Sequence, residues 1–282
     1  MSDSSHWLAS LAERGPPRFN QLVVWLLLGC CALLAFWPYE VHTGPRQAPV
    51  TLLSWLPAAA LTSKWTLLLF RALLVIGAAL WAGNRALPYS CWLTTVGFTG
   101  VWSLHVENTH NTAHIYNLPN MLLVIQSLWI TADAPRIRQA LAAGTYWQTP
   151  LVPRWVSLAS LAYIGLFHTA AGLSKLLFSG PGWANGTSLQ LWAYVFGYEW
   201  SPTRTLMIHS RTLTAGLQIA TLVVETAGIL AIFPRLRPWI GLALVGFYGG
   251  VLVTFPYGFA LNAVFTAVYL LPFERWLTPR GS

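Results

Sequence analysis

The sequence predicts an all-α fold, a polytopic transmembrane helical bundle of about eight spanning helices with no soluble domain. Three observations predict it. The 282 residues are 55% hydrophobic and only 9% charged, against about 25% charged in ordinary soluble domains. Apolar runs near span length recur between residues 21 and 272, and about 20 such residues cross a bilayer core. Sixteen tryptophans suit a chain with many membrane–water interfaces, where indole rings settle.

Taken in order, residues 1–20 read as a short polar cytoplasmic segment carrying Arg14 and Arg18. The apolar run that follows ends in Phe36-Trp37-Pro38-Tyr39 rather than in a small-residue cleavage site, which reads as a retained signal-anchor. Spans are expected at 21–38, 65–83, 88–105, 116–131, 155–178, 212–233, 238–255 and 257–272. The last two are separated only by Pro256-Tyr257-Gly258, so seven helices and a re-entrant piece is the alternative count. The transmembrane domain then covers 21–275, with a tail at 276–282. Residues 38–64 read as an interfacial loop with a short helix, 132–153 as a polar loop, and 179–211 as a long aromatic, Gly-rich loop.

Lysine and arginine orient the bundle. With eight spans, Arg14, Arg18, Arg85, Arg136, Arg138, Arg154, Arg235, Arg237, Arg275 and Arg280 fall on one side, and Arg46, Lys64 and Arg204 on the other. Ten against three is a strong positive-inside bias and makes both termini cytoplasmic. The net charge of +8 is thereby a topology signal, with basic residues scattered at segment ends, and nucleic acid is excluded as a partner. Cys30, Cys31 and Cys91 lie in or at the edge of apolar runs, where thiols act as small hydrophobes; no disulfide is expected.

The polar residues left over gather on the extracytoplasmic side. Residues 104–120 hold His105, Glu107, His110 and His114. His110 and His114 are four apart, which on a helix puts both rings on one face and gives a workable metal-ligand geometry. A solvated surface loop and a catalytic or substrate-binding loop are the other readings.

The run from Tyr163 to Gly186 carries the second set. Gly165, His168, Gly172 and Lys175 fall at i, i+3, i+7 and i+10 on one helical face. The glycines admit either a neighbouring backbone or a flat ligand. Insertion scales put a lysine at a helix centre at about 2.5–3.5 kcal/mol. Low dielectric disfavours an ammonium, so a lysine so placed is a usable general base; snorkelling of Lys175 and a core hydrogen bond for His168 are the bland reading. The third set is Arg204, His209, Arg211 and Glu225. Glu225 sits in an otherwise apolar helix and needs a partner. Lys175, Arg211 and His209 are the candidates.

Ala171-Gly172-Leu173-Ser174-Lys175-Leu176, followed by Trp183-Ala184-Asn185-Gly186, resembles the Ala-Gly-x-x-Lys-Leu…Trp-x-x-Gly signature of vitamin K-dependent gamma-carboxylases. It also resembles their bacterial relatives, the horizontally transferred transmembrane (HTTM) domain family. His114-Ile115-Tyr116-Asn117-Leu118 is similar to the family's His-x-Tyr motif, and Val224-Glu225-Thr226-Ala227-Gly228 to its acidic-x-x-Gly helix. The three occur in the family's order across about residues 20–275.

The resemblance implies a mechanism. Lys175 would be the base that deprotonates a reduced quinone, the quinone anion would react with dioxygen, and the product would be an epoxide. His114 would stabilise or shuttle charge, and Trp183 would wall the site. Gly172, His168, His110, His209 and Glu225 are the remaining substrate-binding candidates. Reduced quinone and dioxygen are the implied cofactors, with carbon dioxide if carboxylation is retained, and no metal is implied. Membrane lipids, a lipophilic substrate and a partner protein are the implied partners.

Two features differ from the carboxylases. Tyr248 stands where they carry a histidine, with Val251 and Val253 in place of Asn and Gln, and their large soluble domain has no counterpart. The reaction expected is therefore the oxygenation half, or action on another substrate. Two rivals stand beside it: a membrane metallo-oxidase ligated by His105, His110, His114 and His209, and a non-enzymatic quinone or lipid carrier in which Lys175 and Glu225 form only a structural pair.

Overall fold

The computed structural model describes residues 11–38, 51–109, 114–256 and 259–277. Among them the structure is all-helical, and an isolated bridge between Arg14 and Pro153 is the trace of extended pairing. Five helices are long and apolar enough to cross a membrane: Pro17–Ala35, Lys64–Ala82, Arg154–Ser179, Arg211–Ile232 and Arg237–Thr254. Large apolar side chains stand outward on them, Leu69, Ile76, Leu177, Phe178, Val223 and Trp239 included. In water such faces are an association liability; against lipid they are satisfied.

The chain divides into two compact units. The first comprises Met1–Val156 with Leu277–Ser282. Its helices are α1 (Pro17–Ala35), the short α2 (Ala58–Leu61), α3 (Lys64–Ala82), α4 (Tyr89–Thr109), α5 (Asn117–Ala132) and α6 (Ala134–Ala142). Proline at the first turn starts α1 and α6, and Ser63 caps α3 by accepting from the Trp65 N–H, since those first N–H groups have no helical partner. Helices α3 and α4 lie backbone against backbone. A Cβ on Gly97 would fall 2.3 Å from the Leu74 nitrogen, and one on Gly77 2.5 Å from that of Thr94. Trp81, Phe98 and Trp129 fill the core of this unit.

Its N-terminal residues are strapped to the loop after α6. Gly15 donates to the Val152 carbonyl at 2.9 Å, and Arg154 to the Glu13 carbonyl at 2.7 Å. The Arg14 guanidinium pairs with Asp133, which also accepts from the Trp129 indole at 3.1 Å.

The second unit, Ser157–Trp276, contains most of α7 (Arg154–Ser179), a 3₁₀ turn at Gly180–Ala184, α8 (Thr187–Phe196), α9 (Pro202–His209), α10 (Arg211–Thr226) continuing as 3₁₀ through Ala227–Ile232, α11 (Arg237–Thr254), α12 (Ala260–Leu270) and α13 (Phe273–Trp276). Arg237 caps the end of α12 through the Tyr269 carbonyl at 2.8 Å and pairs with Glu274 at 2.7 Å.

Every apolar run expected to span is helical, with ends shifted by a few residues. The count of eight crossings is a finer matter. At 1.5 Å per residue, α5 with 16 residues and α12 with 11 fall short of a core of about 30 Å. Helix α4 is long enough but diluted by Ser90, Thr94, Thr95, Thr99 and Ser103. Two stretches expected to be loops contain helices, α6 in 132–153 and α8 and α9 in 179–211. Gly and Pro punctuate both stretches densely, and the aromatic residues of α8 carry no helical preference of their own.

Candidate functional site

The face of α7 that the spacing singled out is divided among three neighbours. Gly165 and Gly172 take helix backbone rather than a flat ligand: a Cβ at Gly165 would stand 2.8 Å from the Gly228 carbonyl oxygen, and one at Gly172 2.7 Å from the Thr226 nitrogen. Thr169, between them, accepts from the Ile229 N–H at 2.8 Å and donates to the Thr226 carbonyl at 3.1 Å. Those backbone groups border the point where α10 tightens into a 3₁₀ segment, and such a change of winding leaves groups needing partners. Gly172 therefore serves the α7–α10 seam, and its proposed contact with substrate is replaced by a contact with α10.

His168 is fully buried. Its Nε2 lies 3.3 Å from Thr266 Oγ1 and its Nδ1 3.5 Å from the Tyr248 hydroxyl, tying α7 to α11 and α12. Tyr248, noted in the sequence only as a departure from a family pattern, is thus a neighbour of His168.

Lys175, one turn from the end of α7, ion-pairs with Glu225. Of the three cations offered to Glu225 by the sequence, the fold selects this one. Arg211 donates instead to the Asn185 carbonyl at 3.1 Å, and Arg204 to the Ala193 and Tyr194 carbonyls at 3.1 Å each. His209 ends α9 exposed to the outside. The Lys175 ammonium also stands 5.2 Å from the centre of the Trp183 ring, within cation–π range.

Lys175 and Trp183 line an apolar cavity of about 600 Å³. Leu189 and Trp192 of α8, Met207 of α9, Gln218, Thr221 and Val224 of α10, and Phe247 and Val251 of α11 are among its other walls. Gly246 and Gly250 lie on the α11 side, and a Cβ on either would meet nothing within 4 Å. These glycines widen the cavity, whereas Gly165 and Gly172 close a helix seam. A cavity of this size, mostly apolar and with one ionisable contact, is the usual form of a small-molecule site.

Helix α10 supplies the site from one face. Thr214, Gln218, Leu222 and Glu225 are its buried stripe. Gln218 escaped the sequence reading, although a glutamine seven residues before the glutamate of an apolar helix was its visible signal. Its Oε1 accepts from the Gly186 N–H at 2.7 Å, and its Nε2 donates to the Trp183 carbonyl at 2.7 Å and to Ser188 Oγ at 2.8 Å.

The histidine loop belongs to the first unit. His114 begins a 3₁₀ turn, His114–Tyr116; its side chain and all of His110 lie outside the described residues. His105 stacks on Trp102 with ring centres 5.5 Å apart. Among the described residues, no three His, Cys, Asp or Glu side chains gather as a metal site. Comparison with protein-family models, with curated proteins and with solved structures gives no match.

Proposed function

We propose that this chain is an integral membrane enzyme, similar to the HTTM and gamma-carboxylase membrane domains, that uses Lys175 with Glu225 to deprotonate a reduced quinone or similar lipophilic hydroxyl compound for oxygenation by dioxygen. The observation that carries the reading is an ion pair beside an aromatic ring on the wall of an apolar cavity. The cavity suits a flat, lipophilic molecule with one ionisable edge.

Lysine and glutamate together form a neutral dyad. On taking a proton from the ligand hydroxyl, the dyad becomes ammonium plus carboxylic acid, and its positive charge sits against the ligand anion. Trp183 covers one side of the ammonium and limits access of water, which strengthens that attraction. The anion would pass electrons to dioxygen, and hydroquinone plus dioxygen balances as epoxide plus water. His114 keeps the charge-stabilising role that the resemblance implies, and carboxylation would require carbon dioxide in addition.

The same reading places eight crossings in a cell or inner membrane, with both termini cytoplasmic and Lys175 toward the extracytoplasmic face. The contact of Arg14 with Asp133 supports it, because residues 14 and 133 share one end and, besides the one-turn α2, the four helices α1, α3, α4 and α5 intervene. The Arg237–Glu274 pair brackets α11 and α12 in the same way.

A second reading is favoured by the closure of the ion pair: a carrier that binds a lipophilic ligand without turning it over. Purified protein supplied with a panel of hydroquinones under oxygen separates the two. Oxygen uptake with an epoxide by mass spectrometry, lost in folded Lys175→Ala and reduced in His114→Ala, supports the enzyme. Saturable hydroquinone binding with no oxygen uptake supports the carrier.

A further inference from the structure

We infer that Gln218 is a positioning residue for Lys175, acting through the loop that carries Trp183; the inference deepens the proposed role of Lys175 and rests on it for its functional meaning. Gln218 is almost wholly buried. Its three hydrogen bonds all go to residues 183–188, and they use the acceptor and both donors of the amide.

Beside Gln218, the segment is tied by Arg211, which donates to the Asn185 carbonyl at 3.1 Å, and by the Thr187 N–H, which donates to Asn185 Oδ1 at 2.9 Å. It holds the 3₁₀ turn at Gly180–Ala184 and then Gly186, whose φ of +85° excludes ordinary side chains. A Cβ on Gly186 would also stand 2.5 Å from the Arg211 carbonyl oxygen, so the loop lies directly on the start of α10. Gln218, one turn beyond Thr214 on the same helix, clamps the loop at its entrance (the Trp183 carbonyl), its turn (the Gly186 N–H) and its exit (Ser188).

The indole of Trp183 is thereby carried over the Lys175 ammonium. Glu225 lies seven residues after Gln218, two turns along the same buried stripe. One helix face thus orients Lys175 twice, directly through the carboxylate and indirectly through the amide and the indole. The remaining side of the ammonium is left to the cavity that Lys175 lines.

The chain has two lysines, Lys64 and Lys175, which makes the test clean. Reductive methylation with ¹³C-formaldehyde and a borohydride places one labelled dimethylamino group on each lysine and one on a free α-amine, and Lys64, whose ammonium stands 5.7 Å from the centre of the Trp65 ring in every variant, is the constant comparison. In the wild-type protein the Lys175 methyl signal is expected to be shifted upfield by the Trp183 ring, and Lys175 to react slowly. Gln218→Leu removes all three bonds at similar volume. The upfield shift should vanish and the Lys175:Lys64 rate ratio should rise about fivefold, the equivalent of one cation–π contact of ordinary strength.

Gln218→Glu keeps the acceptor for Gly186 and loses both donors, and should fall between the two. Trp183→Leu reproduces the loss of shift with Gln218 intact, which keeps the test available if Gln218→Leu does not fold. An unchanged Lys175 signal and rate in folded Gln218→Leu, or in Gln218→Glu when Gln218→Leu does not fold, overturns the inference, as does an unchanged signal in Trp183→Leu. None of these readouts needs turnover. Loss of hydroquinone chemistry with an intact Gln218 effect counts against the enzyme reading alone.

Discussion

Lys175 and Glu225, fifty residues apart in sequence, form an ion pair in which the glutamate side chain is almost wholly enclosed and the lysine side chain only a quarter exposed. Breaking such a pair from one side leaves a buried charge unmatched, whereas replacing both members by apolar groups of similar volume is far milder. Glu225→Leu alone should destabilise the protein by roughly 2–3 kcal/mol, the upper part of the range being trimmed for the exposure of Lys175. Adding Lys175→Met should restore most of it. Thermal unfolding of the two single variants and the double variant in detergent checks this; additive losses contradict it.

The glycines of the second unit should separate into two classes. Gly172→Ala places a methyl group 2.6 Å from Thr226 Oγ1 and 2.7 Å from its backbone nitrogen, and overpacking of that kind costs about 1–3 kcal/mol. Gly246→Ala meets no atom within 4 Å and should leave stability unchanged while narrowing the cavity. The expected pattern is a lowered melting temperature for the first, and for the second a normal melting temperature with weakened hydroquinone binding.

The brace around His168 predicts a ranking. Thr266→Val removes the shorter contact, 3.3 Å, and Tyr248→Phe the longer, 3.5 Å. A buried hydrogen bond contributes about 1 kcal/mol and weakens with length. Chemical denaturation should therefore show the larger loss for Thr266→Val. A larger loss for Tyr248→Phe would mean that the tyrosine hydroxyl does more than brace the histidine.

The strap at residues 13–15 should be acid-sensitive. Burial pushes the Asp133 carboxyl up, but the Arg14 hydrogen bond and charge, the Trp129 indole N–H and the charge of Arg136 together hold it below the usual carboxylate range. A carboxyl lowered in the folded state contributes stability that is complete above its unfolded value of about 3.9, and that is lost as pH falls through the lower folded value. Stability from this group should be flat between pH 5 and 8 and decline below about pH 4. Asp133→Asn should lower the plateau and flatten that acid limb; an acid limb identical to wild type would exclude Asp133 as its source.

Much of the fold was legible because span length and helix punctuation are local. The runs at 65–83 and 155–178 match α3 and α7 within a residue or so, since predominantly apolar sequence between Ser63 and Gly83, or between Pro153 and Gly180, leaves few choices. The helices α6, α8 and α9 were not legible, because they depend on what they rest against. Arg204, for instance, secures the end of α8 by donating to the Ala193 and Tyr194 carbonyls, a contact that no local pattern encodes.

The sequence alone determined that this is a helical chain suited to lipid, and that Lys175, His168 and Glu225 are costly residues needing a reason. Charge and hydropathy are properties of individual residues and short runs, so they survive without a structure. Only the tertiary structure decided among partners: Glu225 to Lys175 rather than Arg211, Gly172 to a helix rather than a ligand, Trp183 to the lysine by way of Gln218. Each choice depends on segments 35 to 54 residues apart in sequence being brought into contact. Side-chain spacing along one helix specifies a face but not what meets it.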